Sequence, residues 1–472
     1  MNDYAPTTAF TAETAVASVD ASSTSLLTDM YELTMLQGAL ASGTATRRSV
    51  FELFGRRLPA SRRFGVVAGT GRLLDAIEAF TFTPSQIDFL HRTGVVNDET
   101  LDFLRDYRFT GTVRGYAEGE CYFAGSPLLT VEGTFAEACI LETLALSIYN
   151  YDCAVASAAS RMTIAAHGRP CVDFGARRAH EQAAVAAARA SVVGGFVGTS
   201  NLEAGLLYGI PTVGTSAHSF TLLHDSEEDA FAAQVASLGP STTILVDTYD
   251  IATGVERAVK AARAAGGELG AVRLDSGDLV AEAFKVRAQL DTLGATSTKI
   301  TVTNDLDEHA IAALGAAPVD SYGVGTKLVT GSGRPTAALV YKLVEREGAD
   351  GTMEEVAKFS SGGKSTVGGR KWAGRTLTSE GTAAEELVVS SSSQDQGLAA
   401  LSEAGARPLQ VLLVDEGRII EEHRGKEALS AAAERHRAAR AELPYDAWRL
   451  SDGESALPTR HVDLDGRSAT RR

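Results

Sequence analysis

Cysteine is scarce in this chain: four in 472 residues, at Cys121, Cys139, Cys153 and Cys171, widely spaced and without a CxxC pair. Such spacing excludes a disulfide framework and a zinc site. It implies four small buried or semi-buried thiols in a reducing compartment, so a cytoplasmic location is expected. No run of about 18 apolar residues occurs, so no segment suits a bilayer-spanning helix and no membrane partner is expected. The first 24 residues are rich in Thr, Ala and Ser, with no basic stretch leading into an apolar one. They read as a disordered leader rather than a signal peptide. Positive charge is also short: 44 Lys and Arg face 60 Asp and Glu, for a net charge of −16. That field repels polyanions and argues against nucleic-acid binding. An anionic substrate would need local arginines and backbone N–H groups to bind at all.

What is present is an ordinary globular composition, 44% hydrophobic and 22% charged. The length suffices for one large core and a smaller second domain. A helix opens the fold at LLTDMYELTMLQGAL, with apolar residues at helical spacing. FTGTVRGYAEGECYFAGSPLLTVEGTFAEACILE alternates and is broken by Gly and Pro, which predicts a small antiparallel sheet. From about 170 short apolar runs recur: CVDF (171–174), VVGGFV (192–197), IPTVGT (210–215), TILVD (243–247), AVRL (271–274), ITVT (300–303) and SYGVG (321–325). Ala-, Leu- and Glu-rich stretches separate most of them. Strand–helix alternation repeated about seven times predicts an irregular α/β barrel of about seven parallel strands. The smaller α+β domain would combine the N-terminal and post-barrel segments. The expected boundaries are 1–24 for the leader, 25–150 for the N-terminal domain and 151–340 for the barrel. Residues 341–450 would partly return to the first domain, with SSSSQDQG as a flexible loop and 425–440 as a charged helix. A disordered tail, 451–472, would close the chain.

In such barrels the active site forms on the loops that follow the strands. The polar residues here fall there in register. Gly175 and Arg177 follow the first run; Thr199, Ser200 and Asn201 follow the second; Ser216 and His218 follow the third. Asp247 ends the fourth. Arg273, Asp275 and Asp278 close the fifth, Asn304 and Asp305 the sixth, and Gly323, Gly325 and Thr326 the seventh. Each has a plainer reading. Arg177 could be a solvated loop charge, Asp275 or Asp278 a helix N-cap, and the glycines simple packing positions. Arg273, flanked by apolar residues at a strand end, needs an anion, either Asp275 or a ligand. His218 on its small-residue loop stands apart from the other eight histidines as a candidate catalytic group. The P-loop-like SSGGKST is rejected, because Lys358 occupies the place of the first glycine.

Six segments in order, TDMYELTM (28–35), DFGARRAH (173–180), GGFVGTSNLEAGLLYGIPTVGTSAHSF (194–220), VDTYD (246–250), VRLDSGDL (272–279) and SYGVGTKL (321–328), closely resemble nicotinate phosphoribosyltransferase, a type II phosphoribosyltransferase family. The resemblance covers roughly residues 25–375. It implies that nicotinate and 5-phosphoribosyl 1-pyrophosphate give nicotinate mononucleotide and pyrophosphate in NAD biosynthesis. Coupling to ATP would run through a phosphohistidine at His218, with Mg²⁺ as cofactor. It further implies a homodimer with shared active sites. By position, His218, Asp247 and Asp275 would be catalytic, with Asp247 orienting the His218 ring. Tyr31 and Phe174 would clamp the pyridine, Tyr31 from the partner chain. Arg177, Thr199, Ser200 and Arg273 would bind substrate, and Gly323, Gly325 and Thr326 phosphate. No residue is assigned as a metal ligand, and a C-terminal cysteine cluster found in some members has no counterpart here.

Nicotinamide-using relatives carry an aspartate where this chain has Ser200. A neutral donor there suits a carboxylate, so the acid is the expected substrate and the amide the alternative. A non-catalytic, ligand-binding relative would also keep the fold. A phosphate-binding aldolase or lyase would want a Schiff-base lysine at a strand end, for which only Lys327 is near.

Overall fold

A computed structural model describes residues 23–358 and 367–466. The expected leader therefore lies almost wholly outside the described residues, as does the SSGGKST segment. No helix among the described residues is long and apolar enough to cross a membrane.

The centre of the fold is a parallel sheet of six strands in the order Gly198–Thr199, Cys171–Asp173, Ser321–Val324, Lys299–Val302, Ala271–Leu274, Thr243–Leu245. Its two edge strands do not pair with each other, so it curls as an open half-barrel. Side chains at the strand-to-helix loops start the next helix: Asn201, Asp250, Asp278 and Asp307 each accept from backbone N–H groups two or three residues on. Each such cap is worth about 1 kcal/mol, and together they fix where the strands' carboxyl ends stop.

Two of the seven expected strands behave differently. At 192–197 the alanine-rich helix Glu181–Val193 runs on through Val193. Gly195, at φ +101°, then turns the chain, and pairing begins only at Gly198. IPTVGT supplies no strand, only a single bridge from Thr212 to Thr199.

The segments before and after this sheet meet in a second, seven-stranded antiparallel sheet. Its order is Met353–Glu355, Leu339–Glu347, Arg48–Gly55, Pro127–Thr134, Thr112–Tyr116, Gln410–Asp415, Arg418–Ile419. Each sheet has its own apolar core. The helix Glu142–Ala165 serves both: Leu144, Ile148 and Tyr149 pack under the antiparallel sheet, and Val155, Ala159 and Met162 under the parallel one. The expected boundary at 150/151 falls inside this helix.

Two other expectations fail near the C-terminus. SSSSQDQG is no loose loop: Ser390 ends the strand Ala383–Ser390, and Ser393 caps the helix Gln394–Glu403. Within the supposed tail, Thr459–Asp463 adds a parallel strand beside Ala383–Ser390. The charged helix is Gly425–Ala441. All four cysteines are buried and free.

Candidate active site

A cavity of about 600 Å³ opens at the carboxyl ends of the parallel strands. That volume lies within the small-molecule range of about 300–1,000 Å³. Phe174, Arg177, Ser200, His218, Arg273, Asp275, Gly323, Gly325 and Thr326 all line it, so four strand ends and the His218 segment converge there. Tyr31, Thr199 and Asp247 do not.

The wall carrying Phe174 and Ser200 is held from beneath. Asp173 is wholly buried; one carboxylate oxygen accepts from the Gly175 N–H at 2.7 Å and the other from the Thr199 hydroxyl at 2.7 Å. Burial pushes the Asp173 carboxyl upward, against the pull of those two bonds. The Ser200 N–H donates to the Asp173 carbonyl at 2.8 Å. Thr199 thus faces inward and supports, while Ser200, the next residue, reaches the cavity; this corrects a direct substrate role for Thr199. Gly323 lets the Phe174 ring press close against the neighbouring strand, since a Cβ there would sit 2.5 Å from the ring.

His218 begins the short helix His218–Leu223, and its side chain is 42% exposed. Its Nδ1 shares a hydrogen bond of 3.1 Å with the Thr248 hydroxyl. The Asp247 carboxylate lies 3.9 Å from Nε2, beyond hydrogen-bond reach. Thr248, not Asp247, therefore orients the ring, a contact the sequence reading missed although Thr248 stands inside the VDTYD segment. Asp247 is buried beneath the site: Oδ2 accepts from the Asp275 N–H at 3.0 Å and the Ser276 hydroxyl at 2.6 Å, while Oδ1 has no partner. The Thr303 hydroxyl donates to Asp275.

Arg273 is the most informative charge. One Nη donates to the Ser216 carbonyl at 2.9 Å, while Nε is buried without a partner. Burial lowers its affinity for the proton, only partly offset by Asp275 and Asp247. No carboxylate among the described residues comes within ion-pair distance. Its alternative partner, Asp275, is thus not in contact, and an external anion would complete it. Asp278, by contrast, caps the helix Leu279–Thr292 and is plainly structural.

Asn304 and Asp305 also line the cavity, both at positive φ, 93° and 36°. Strain of that kind in consecutive non-glycine residues concentrates at functional sites. The sequence picked them out by position but gave them no role. Lys327 is exposed and off the cavity wall, which removes the Schiff-base alternative's only candidate.

Against known proteins, residues 26–150 match the nicotinate phosphoribosyltransferase N-terminal domain model, and residues 170–360 match the nicotinate phosphoribosyltransferase family model. Nicotinate phosphoribosyltransferase pncB1 of Mycobacterium tuberculosis is 51% identical over 445 residues, covering 93% of this chain and 95% of that protein. The chain belongs to the nicotinate phosphoribosyltransferase family. The Bacillus subtilis nicotinate phosphoribosyltransferase is 38% identical, covering 74% of this chain and 72% of its own. For the fold alone, the crystal structure of human nicotinic acid phosphoribosyltransferase superposes with a TM-score of 0.77 at 24% identity, over 93% of this chain and 98% of that one. Family membership makes this chain a phosphoribosyltransferase-type enzyme and leaves the roles of individual cavity residues to chemistry.

Proposed function

We propose that the cavity transfers a 5-phosphoribosyl group from 5-phosphoribosyl 1-pyrophosphate to nicotinate. The pyridine nitrogen donates its electron pair to C1 of the ribose as the C1–oxygen bond breaks, and pyrophosphate leaves with that pair. The observation that carries the choice of nicotinate is Arg273, a half-buried guanidinium without a carboxylate partner, in a cavity it shares with neutral Ser200. Phe174, seated against Gly323 on the cavity wall, supplies an aromatic ring for the pyridine to stack on. Gly323, Gly325 and Thr326 line the part of the wall where backbone can approach phosphate closely.

No cluster of three metal-ligating side chains occurs among the described residues. That suits Mg²⁺ held mainly through substrate oxygens, with Asp275 and Asp305 as the carboxylates within the cavity. Bound there, Mg²⁺ would neutralise charge gathering on the leaving pyrophosphate.

ATP coupling is assigned to His218. With Nδ1 engaged by Thr248, Nε2 is the nitrogen left to take the γ-phosphoryl group. The N–P bond forms as the bond to ADP breaks, and water later releases phosphate. The partnerless Asp247 Oδ1 sits 3.9 Å from that nitrogen and could take up its proton with a small ring movement.

A homodimer accounts for two exposed apolar faces. One carries Leu27, Met30, Tyr31 and Met35; the other, Leu202, Leu206, Leu222 and Leu223, flanks the cavity loops. A second copy laid across both would bring Tyr31 to its partner's site. Mixing inactive Tyr31→Ala chains with inactive His218→Ala chains tests this. Activity should return in mixed dimers, and no recovery despite proven subunit exchange would reject a shared site. The function itself is tested by product formation from nicotinate and from nicotinamide, with and without ATP. Nicotinate mononucleotide, enhanced by ATP, is expected; preference for nicotinamide would refute the reading.

A further inference from the structure

A second cavity, of about 480 Å³, lies at the opposite end of the parallel strands. Gly168, Arg169 and Pro170 on its rim lead directly into Cys171–Asp173, and Gly195, Phe196 and Val197 lead into Gly198–Thr199. It is therefore separate from the transfer cavity and opens at the amino ends of the strands whose carboxyl ends carry Phe174 and Ser200. The helix Gly425–Ala441 closes it from the other side with Arg437 and Arg440, three residues apart and so on one face.

The charges here do not balance. Arg169 donates to the carbonyls of Leu314 and Gly315 and to the Tyr322 hydroxyl. Arg440 donates to the Ser160 carbonyl and to the Thr163 hydroxyl. Neither these two nor Arg437 has an ion-pair partner among the described residues. The one carboxylate on the lining is the exposed Glu434. His436 adds no charge: it is buried between the Gly119 carbonyl and the Ser160 hydroxyl, and burial holds it down to about 3. Three guanidinium groups against one carboxylate leave a local excess of positive charge in a protein whose net charge is −16. Elsewhere acids are plentiful enough to pair arginines many times over. Beside the arginines, Val192, Phe196 and Val197 supply an apolar wall.

We propose that this cavity binds a small anion bearing a phosphate chain, with Arg169, Arg437 and Arg440 as its donors. Guanidinium groups match phosphate oxygens with paired donors, and the volume accommodates pyrophosphate alone or a nucleotide with its base on the apolar wall. A ligand here would act as an effector, because it cannot reach the transfer cavity from this side of the sheet.

The test is titration calorimetry of the full chain with inorganic pyrophosphate, comparing wild type with Arg437→Glu. Arg437 is exposed and makes no ion pair, so its replacement should leave the melting temperature and the nicotinate KM in pyrophosphate-free buffer unchanged. Wild type should show a class of sites that weakens by about tenfold or more in the variant, the loss expected for a charge-assisted contact. A second class that Arg437→Glu leaves unchanged would be the transfer cavity. Adding ATP sorts the sources: competition for the Arg437-dependent class points to a nucleotide, its absence to inorganic pyrophosphate. If Arg437→Glu folds poorly, Arg437→Ala removes the charge alone. Pyrophosphate binding that neither variant alters overturns the proposal.

Discussion

Arg189 and Arg273 both carry a guanidinium out of water, yet their surroundings are opposites. Arg189, wholly buried on the helix Glu181–Val193, forks onto Glu118 with contacts of 2.6 and 2.7 Å. Burial opposes the charge on each, but the pair outweighs it: Glu118 is held below the usual carboxylate range and Arg189 is raised. Lys371 with Glu52 and Arg375 with Glu386 are two more buried ion pairs, each at 2.8 Å, although at Glu52 burial still outweighs its partner and pushes the carboxyl upward. At the carboxyl ends of the parallel strands Arg273 has a carbonyl and no counter-charge, and Asp247 keeps one oxygen unpartnered. A pair complete in itself holds the fold together; a half-complete one is arranged for something that arrives. The difference separates scaffold from site more sharply than burial does.

The largest effect should come from the group with the least scaffold duty. His218→Ala should abolish acid-labile phosphate incorporation from ATP while the melting temperature stays put, because the side chain is 42% exposed and its one hydrogen bond is to the Thr248 hydroxyl. Labelling with γ-³²P-ATP checks it, and normal incorporation would move the phosphorylated residue elsewhere.

The two arginines can then be set against each other directly. Arg189→Met strands Glu118 as an unpaired buried charge, and breaking such a pair costs about 3–5 kcal/mol. Arg273→Met removes a charge that has no partner to strand, so stability should hold or rise while nicotinate turnover collapses. Denaturant melts and kcat/KM on both variants decide. Comparable destabilisation would mean that Arg273 belongs to the scaffold after all.

How far the sequence could distinguish these regions is clear from individual residues. AVRL at 271–274 becomes a strand over the same four residues, because an apolar run stands between Gly270 and Asp275, both strand breakers. VVGGFV misleads because helix and strand compete for Val192 and Val193, and the alanines before them settle it for helix. The strand at 459–463 is charged and short, and its partner lies some 70 residues earlier, where no local pattern can point. In the site, strand-end position located nearly every lining residue. It could not say which of two neighbours faces in: Thr199 and Ser200 look alike on paper, but alternation sends one below the wall and one onto it. Asp247 is a similar case, one layer beneath the cavity it was expected to line.

Ser200 permits a more specific test of the site's preference for anions. Ser200→Asp would place a carboxylate where nicotinate's own is to be held. At a separation of about 4 Å and an effective dielectric of about 20, that repulsion is worth about 4 kcal/mol, close to a thousandfold in kcat/KM. Losing one neutral hydrogen bond would cost only about 0.5–1.5 kcal/mol. The assay uses both substrates on the purified variant. Unchanged nicotinate activity would show that selectivity is set by other residues on the cavity wall.

The smallest expected effect concerns Phe174, whose phenyl ring stands on the cavity wall. Phe174 lies against Gly323 and is half-buried, so it is placed to stack on a ligand as well as to pack on the strand. Its backbone N–H donates to the Val324 carbonyl at 2.8 Å, which holds the chain in place whatever the side chain. Phe174→Ala should therefore keep the strand end and lose the ring. Stacking adds about 0.5–1.5 kcal/mol beyond the area buried, so nicotinate should bind several-fold more weakly. Phosphoribosyl pyrophosphate, placed by the proposed reading on arginine and backbone rather than on the ring, should bind nearly as before. Separate KM values for the two substrates read the split. Equal weakening of both would mean that Phe174 acts only by keeping Gly323 and its neighbours in place, and the ring would then belong with Arg189 on the scaffold side.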